Sequence, residues 1–284
     1  MDIRQSPLYA KYMQSIGWKV KRIGKWQAFI KPFPLFGSFI KIQRIGHPFP
    51  EKEIINLVKQ HRAFKTIIEP DLNSNFQFSS ANRRINFQLT GEIFAPSKTI
   101  FIDLSTKEEM FNRFSESKRR AVRRAEKNKI VVKESADIEA FVNLKSKQMF
   151  PFGFLLSREI RLLWKAFNPK HGFLLLAFHS NDINQCIKPL AGVLLLFWQK
   201  NAYYWLASAT DKGKKLFAPT LLVWEALKLS RKKGCTIFDF EGVFDPRFPK
   251  ATKSWKGFTK FKEGFGGKEV QYPKPMTINL KFEV

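Results

Sequence analysis

Residues 201–242 read NAYYWLASATDKGKKLFAPTLLVWEALKLSRKKGCTIFDFEG, and four elements separate within them. The apolar run 202–209 is a strand, TDKGKK at 210–215 a basic loop, 216–233 an amphipathic helix and 236–241 a short strand. FTKFKEGFGG follows at 258–267. A strand feeding a loop that opens a helix is where anionic groups bind, because backbone N–H groups and the helix dipole point outward there. Asp239 and Glu241 alternate with Phe238 and Phe240, so both are expected on one face of the strand's end.

Working outward, strands are predicted at 172–179 and 190–198, the latter joined to 202–209 by the tight turn 199–201. Ser157 is expected to cap a helix over REIRLLWKAF, and PFG at 151–153 marks a candidate domain junction. The resulting order is helix, three-stranded antiparallel meander, basic loop, helix, strand. It resembles the core of the GNAT acyltransferase fold. A fainter version lies upstream, where two strands (26–31 and 38–45), a helix (50–62) and a strand (64–69) follow a first helix capped by Ser6 with Pro7 in its first turn. This echo predicts a mixed α/β (α+β) chain of two tandem GNAT-like domains, 1–149 and 150–269, with 270–284 packing back on the first.

Between the two cores the polar segment 73–96 holds a strand at RINFQL, and TIFIDL at 99–104 is another. Ser105, with Glu108 three residues on, reads as a capping box opening a long basic helix over 106–127. IVVKES is a strand and 136–149 a helix.

The 284 residues suffice for one large or two ordinary domains, and an apolar fraction of 44% provides a core for them. Phenylalanine is frequent, at 30, beside seven tryptophans. Most of these are expected in the core, although aromatics among lysines also stack on bases. A formal charge of +26 predicts polyanion partners: nucleic acid, an anionic membrane surface or phosphorylated metabolites. A proteome rich in lysine would give the same balance without such a partner. Cys186 and Cys235 form no framework, and no Cys/His spacing suggests a metal site. The first residues lack the apolar core of a signal peptide, and the longest apolar runs fall short of the ~20 residues that span a bilayer. The chain therefore reads as soluble and cytoplasmic.

Three groups of residues carry candidate chemistry. Lys118, Arg119, Arg120, Arg123 and Arg124 crowd the basic helix with only Glu126 interleaved, which fits either phosphate binding or a solvated face. Lys212, Lys214 and Lys215 surround the single glycine of the basic loop, Gly213, and the same two readings apply. A CoA-binding GNAT loop has a second glycine, which a bulky residue replaces in the loop 211–218 of this chain, so no CoA or other cofactor is expected. Asp239 or Glu241 could orient an amine or carry a proton, or could pair with a lysine of FTKFKEGF.

Several motifs together resemble the Fem family of peptidoglycan bridge-forming aminoacyltransferases. They are Ala-Ser at 207–208, APTLL at 218–222, FDFEG at 238–242, and FK at 261–262 followed by FG at 265–266. Upstream, QSPLYAK at 5–11 with Gly17-Trp18, and FIDL at 101–104 followed by a basic helix ending in IVV, match the family's first domain. The resemblance implies transfer of an aminoacyl group from aminoacyl-tRNA to the amine of a muropeptide precursor, nucleotide-linked or lipid-linked, without metal or cofactor. It also implies that Lys262 stabilises the developing oxyanion, with Asp239 in a lesser catalytic role. Lys11 and Arg158 would hold the acceptor's diphosphate and Tyr204 would line the substrate site. The basic groups of 118–124 and 212–215 would meet tRNA. The family often has Arg-Gly-Pro after the early hairpin, where Arg44-Ile-Gly-His-Pro stands here, and this chain has no room for the coiled-coil arm of some members. Two rival functions remain: an N-acyltransferase using acyl-CoA, and a basic RNA-binding protein on a degenerate transferase scaffold.

Overall fold

The computed structural model describes residues 1–74, 76, 85–106, 109–147, 153–182 and 188–280. Glu108, Cys186 and residues 151–152 of the expected junction lie outside these. The chain opens with α1 (Pro7–Ser15), β1 (Lys19–Ile23), β2 (Trp26–Phe33) and β3 (Gly37–Ile45). Helix α2 (Glu51–Gln60) leads to β4 (Ala63–Pro70), β5 (Ile85–Leu89) and β6 (Lys98–Asp103). Next come α3 (Glu116–Lys127), β7 (Ile130–Ser135), α4 (Ile138–Ser146) and α5 (Gly153–Phe167). The strands β8 (Gly172–His179), β9 (Ala191–Trp198) and β10 (Asn201–Ala209) precede α6 (Asp211–Lys215), α7 (Ala218–Lys232) and β11 (Ile237–Asp239). The last elements are α8 (Pro249–Thr252), α9 (Lys256–Glu263), β12 (Lys268–Gln271) and β13 (Met276–Leu280).

Two sheets form, in the orders β1-β2-β3-β4-β13-β5 and β12-β6-β11-β10-β9-β8-β7. Each contains the same device. Three antiparallel strands (β1-β2-β3, β8-β9-β10) lead through a helical crossover to a parallel neighbour, β4 or β11. Parallel pairing requires such a crossover, because a short turn can only reverse the chain. An antiparallel strand then flanks each parallel one, β13 on β4 and β6 on β11. The internal echo is thus real, and the fold is a mixed α+β tandem of GNAT-like sheets.

The chain divides into two compact units, Met1–Lys98 with Phe244–Trp255 and Gln271–Val284, and Thr99–Val243 with Lys256–Val270. The first division falls at Lys98, well before the expected 149. Its cause is β6, whose Ile102 pairs with Phe238 of β11 and so ties residues 99–149 to the later sheet.

Two helix starts differ from expectation. Helix α3 begins at Glu116, where Ser115 accepts from Lys118 N–H. Ser105 instead turns back on the chain: its N–H and hydroxyl both donate to the Asp103 carboxylate, at 2.8 and 2.6 Å. Helix α5 begins at Gly153, so Ser157 lies inside it and not at its cap. The first helix does start as expected, with Ser6 Oγ accepting from Tyr9 N–H at 3.1 Å, and it buries Tyr9 and Met13. Strand β1 was not foreseen, since KVKRI lacks the apolar alternation of a half-buried strand.

In the second unit α7 packs on β8, β9 and β10, and α4 on β9 and β10. Strands covered on both faces need not alternate, which accounts for the continuous leucine runs of β8 and β9.

Candidate functional site

The end of β10 is where the second sheet opens. β10 and β11 pair only from Asn201↔Ile237 to Tyr203↔Asp239, yet β10 continues to Ala209. A register shift between Tyr204 and Leu206 marks a β-bulge against β9 at the same level. Beyond Tyr203 the two parallel strands therefore part at their carboxyl ends, the usual place for a ligand in sheets with helical crossovers.

The chain leaves β11 through a turn that holds Lys262. Asp239 is buried, and its Oδ1 accepts from Thr99 Oγ1 and, at 2.8 Å, from Glu241 N–H. Glu241 takes φ +52° and Gly242 φ +95°, conformations costly for the glutamate and open to glycine. β11 ends at Asp239, so strand alternation does not set the Glu241 side chain, although both carboxylates lie near enough to act on Lys262. The carbonyls of 240–242 converge on the Lys262 ammonium from α9. Nζ donates to Phe240 O at 2.8 Å and Gly242 O at 2.6 Å, and meets Glu241 O only at 3.5 Å. Lys262 is 8% exposed. Desolvation pushes its pKa down to about 8, against the upward pull of Asp239 and Glu241. A lysine with two N–H groups fixed and one loosely held, poised near neutrality, can deliver a positive hydrogen-bond donor or a proton.

Tyr204 lies beside this turn but in the core. Its ring packs 5.6 Å from Phe240 and 6.1 Å from Phe238, and burial pushes its phenol above its usual value. The structure makes it a wall behind the turn and not an open lining residue.

The basic loop is a helical turn, α6. Thr210 Oγ1 accepts from Gly213 N–H at 2.9 Å, and the amides of Lys214, Leu216 and Phe217 bond to Thr210 O, Lys212 O and Lys214 O. The amides that a pyrophosphate would need are thus occupied within the turn. Gly213 is required for another reason: a Cβ there would sit 2.3 Å from Leu190 O. Lys212, Lys214 and Lys215 are exposed, with Lys214 paired to Asp211 at 3.0 Å.

Helix α3 does not present all its cations together. At about 100° per residue, Arg119, Arg120, Arg123, Arg124 and Lys127 sweep an arc of about 140°. Lys118 falls on the opposite side with Ala121, Val122 and Ala125, which are buried. Its Nζ stands 4.0 Å from the Phe261 ring of α9, and desolvation lowers its pKa. The spacing i, i+3, i+4, i+7 from Lys118 carried that signal in the sequence. Arg120 pairs with Glu116, Arg119 donates to Asn112 O at 2.9 Å, and Arg124 lies 5.8 Å from the Phe217 ring next to α6. The two basic groups thus adjoin through Phe217. Between the start of α3 and α9 lies a cleft of ≈ 560 Å³ lined by Ser115, Ser117, Lys118, Lys256, Lys260 and Phe261, whose last two lysines sequence reasoning passed over.

Comparison with known proteins bears directly on this region. Residues 176–274 match the FemAB family. This segment is what the chain shares with the family. It takes in the parting strands, α6, α7, the 240–242 turn and Lys262, and the Fem resemblance read from the motifs holds. The crystal structure of FemX aligns with a TM-score of 0.73 at 16% identity, over 97% of this chain and 92% of that one. L-PGS from Bacillus licheniformis aligns at 0.60 and 12% identity, covering 99% and 89%. A tandem GNAT protein from the clavulanic acid biosynthesis pathway aligns at 0.53 and 10% identity, covering 90% and 80%. At these identities the likeness is one of fold. No curated protein matches in sequence.

Not every expected site residue lies in the FemAB segment. Lys11, exposed on α1, belongs to the first unit, and Arg158, exposed on α5, to the second. Both precede residue 176, as does the α3 arc. Among the described residues, no group of three His, Cys, Asp or Glu side chains is placed to hold a metal, and no helix is long and apolar enough to cross a membrane.

Proposed function

We propose that this chain is a cytoplasmic aminoacyltransferase, moving an amino acid from aminoacyl-tRNA to the amine of a peptidoglycan precursor. The observation that carries the reading is the carbonyl-held Lys262 inside the FemAB segment. The acceptor nitrogen attacks the ester carbonyl, forming the C–N bond. The bond to the ribose oxygen breaks, and a proton from the attacking nitrogen passes to that oxygen. Negative charge develops on the carbonyl oxygen in between. Lys262 turns its loosely held N–H from Glu241 O to that oxyanion, while Phe240 O and Gly242 O keep the ammonium in place. An ester is already activated toward an amine, so positioning supplies most of the remaining effect. Arg158 holds the acceptor's diphosphate, and Asp239 acts as a positioning residue through the turn.

The α3 arc and the α6 lysines meet the tRNA backbone, whose charge answers the excess of +26. Replacing Arg119, Arg123 and Arg124 together by alanine is expected to weaken tRNA binding about tenfold or more and to flatten its salt dependence by roughly one unit of slope per lost phosphate contact. Filter binding across a salt series measures both. Lys118→Ala instead lowers the melting temperature, because that lysine packs on Phe261. The acyl-CoA reading is disfavoured by the occupied amides of α6.

Incubating the protein with mixed aminoacyl-tRNAs and with nucleotide-linked and lipid-linked precursors, and weighing the products, tests the proposal. A precursor heavier by one aminoacyl residue is expected. Tight binding that ignores whether tRNA is charged, with no product from either precursor, would replace it with the RNA-binding reading.

A further inference from the structure

Four large exposed apolar side chains of the first unit gather at one point, among them the two most exposed, Leu35 and Phe36. The β2–β3 hairpin turns at residues 34–36, and there Leu35 is 101% exposed, Phe36 77% and Phe33 43%. Phe64, at the start of β4, is 58% exposed and its ring lies 5.7 Å from that of Phe33. Four large apolar groups, two of them at a tip with almost no cover, form a patch of the kind that marks an interaction surface. Leu35 adds a second anomaly, because it takes φ +71°. Glycine or asparagine relieves such a turn, and either would also remove the apolar exposure. Leucine here is unfavourable for the backbone and for solvation alike, which points to a use for the side chain.

The surroundings of the tip are cationic. The carbonyl of Arg62 accepts from Ser38 N–H at 3.3 Å, which fixes the exposed Arg62 at this end of the sheet. Lys59 lies in the last turn of α2, just before it, whereas the acids Glu51 and Glu53 lie in the first turn, about 9–12 Å along the helix at 1.5 Å per residue. Lys19 and Lys21, on β1, are near enough to help depress His61, after desolvation. Lys65 is held by Glu92. The exposed Lys59 and Arg62 thus stand at the tip end of the sheet, with the exposed Lys19 opposite Ile30 on the neighbouring strand.

We propose that the 33–36 hairpin tip, with Phe64, is a wedge that enters the headgroup and upper acyl region of an anionic phospholipid bilayer, and that Lys19, Lys59 and Arg62 bind the lipid charge around it. An apolar tip with a basic rim is the physical signature of surface insertion, in which area burial and electrostatic attraction add. The attraction acts within a Debye length, about 8–10 Å at ordinary ionic strength, so cations beside the tip contribute and distant ones do not. The proposal goes beyond the transfer reading and does not depend on it.

The test is sedimentation of the full chain with vesicles of phosphatidylcholine alone or with one part in three phosphatidylglycerol. The protein is expected to pellet with the anionic vesicles, and Leu35→Ser/Phe36→Ser to lower that partition at least about tenfold with an unchanged melting temperature. Lys59→Glu/Arg62→Glu is expected to lower it too. Anionic-vesicle binding by the Leu35→Ser/Phe36→Ser variant equal to that of the original chain would mean adsorption by charge alone and would overturn the wedge. So would equal partition into neutral vesicles. A dimer in light scattering that the double substitution dissolves, without vesicle binding by the original chain, would assign the tip to a second copy and overturn it as well.

Discussion

Lys262→Ala is expected to lower kcat for aminoacyl transfer by about 10²–10³-fold, the usual effect of removing one preorganised oxyanion donor. The melting temperature should move little, because two changes oppose each other. The substitution releases the carbonyls of Phe240 and Gly242, but water can reach them through the space it opens. It also removes a buried ammonium that destabilises the fold near neutral pH. The folded pKa of about 8 lies below the unfolded 10.5, so between those values the unfolded chain holds a proton that the folded chain has lost. Stability in this window rises with pH, and below about pH 8 the full penalty of about 3 kcal/mol applies. Denaturation at pH 7 and pH 10 should show that rise in the original chain and not in Lys262→Ala. The same pKa predicts that kcat falls above about pH 8 as the ammonium is lost. Lys262→Arg, if it retains turnover, should move that upper limb out of range, since a guanidinium stays charged. Transfer by Lys262→Ala within threefold of the original chain would remove Lys262 from the chemistry.

What could be read from the chain follows a physical division. Strands β8, β9 and β10 were legible because continuous apolar runs between turns have few other homes, and the tandem arrangement followed from the order of elements. The start of α3 was not legible, because Ser105 and Ser115 have identical capping chemistry. What separates them is that Ser105 is drawn into a local i, i+2 turn with Asp103, whereas Ser115 N–H is fixed by the distant Gly264 carbonyl. That error carried into the site: with the helix started too early, Lys118 was grouped with Arg119 and Arg120, although its spacing to Ala121, Val122 and Ala125 places it on the buried face. The importance of Lys262 came from a family motif, while its cage came from nothing local. The cage depends on a glutamate adopting a left-handed backbone, which no propensity predicts. The unit boundary was missed for a similar reason, as pairing between β6 and β11 spans well over 100 residues of chain and leaves no local trace.

The turn also sets the second large expectation. Asp239→Ala should destabilise the second unit by about 3–5 kcal/mol, the range for removing one partner from a buried charged network. Three groups lose an acceptor or a compensating charge: the Thr99 hydroxyl, the Glu241 N–H and the Lys262 ammonium. The left-handed Glu241 then loses the Asp239 bond to its N–H, and the carbonyls around Lys262 are held less firmly. Asp239→Asn separates positioning from proton transfer. Asparagine keeps an oxygen for Thr99 and Glu241, so the turn should persist with a smaller loss, but the charge that raises the Lys262 pKa is gone. The lysine should therefore lose its proton at lower pH, and the upper limb of the kcat profile should move down. Activity lost at pH 8 would then return at pH 6.5 to the extent that Lys262 is recharged. A carboxylate that itself carried the proton would leave a different mark, with kcat depressed equally at every pH and stability intact. Measuring kcat across pH together with chemical denaturation for the two variants decides between these roles, because only a positioning residue couples the stability of the turn to the titration of Lys262.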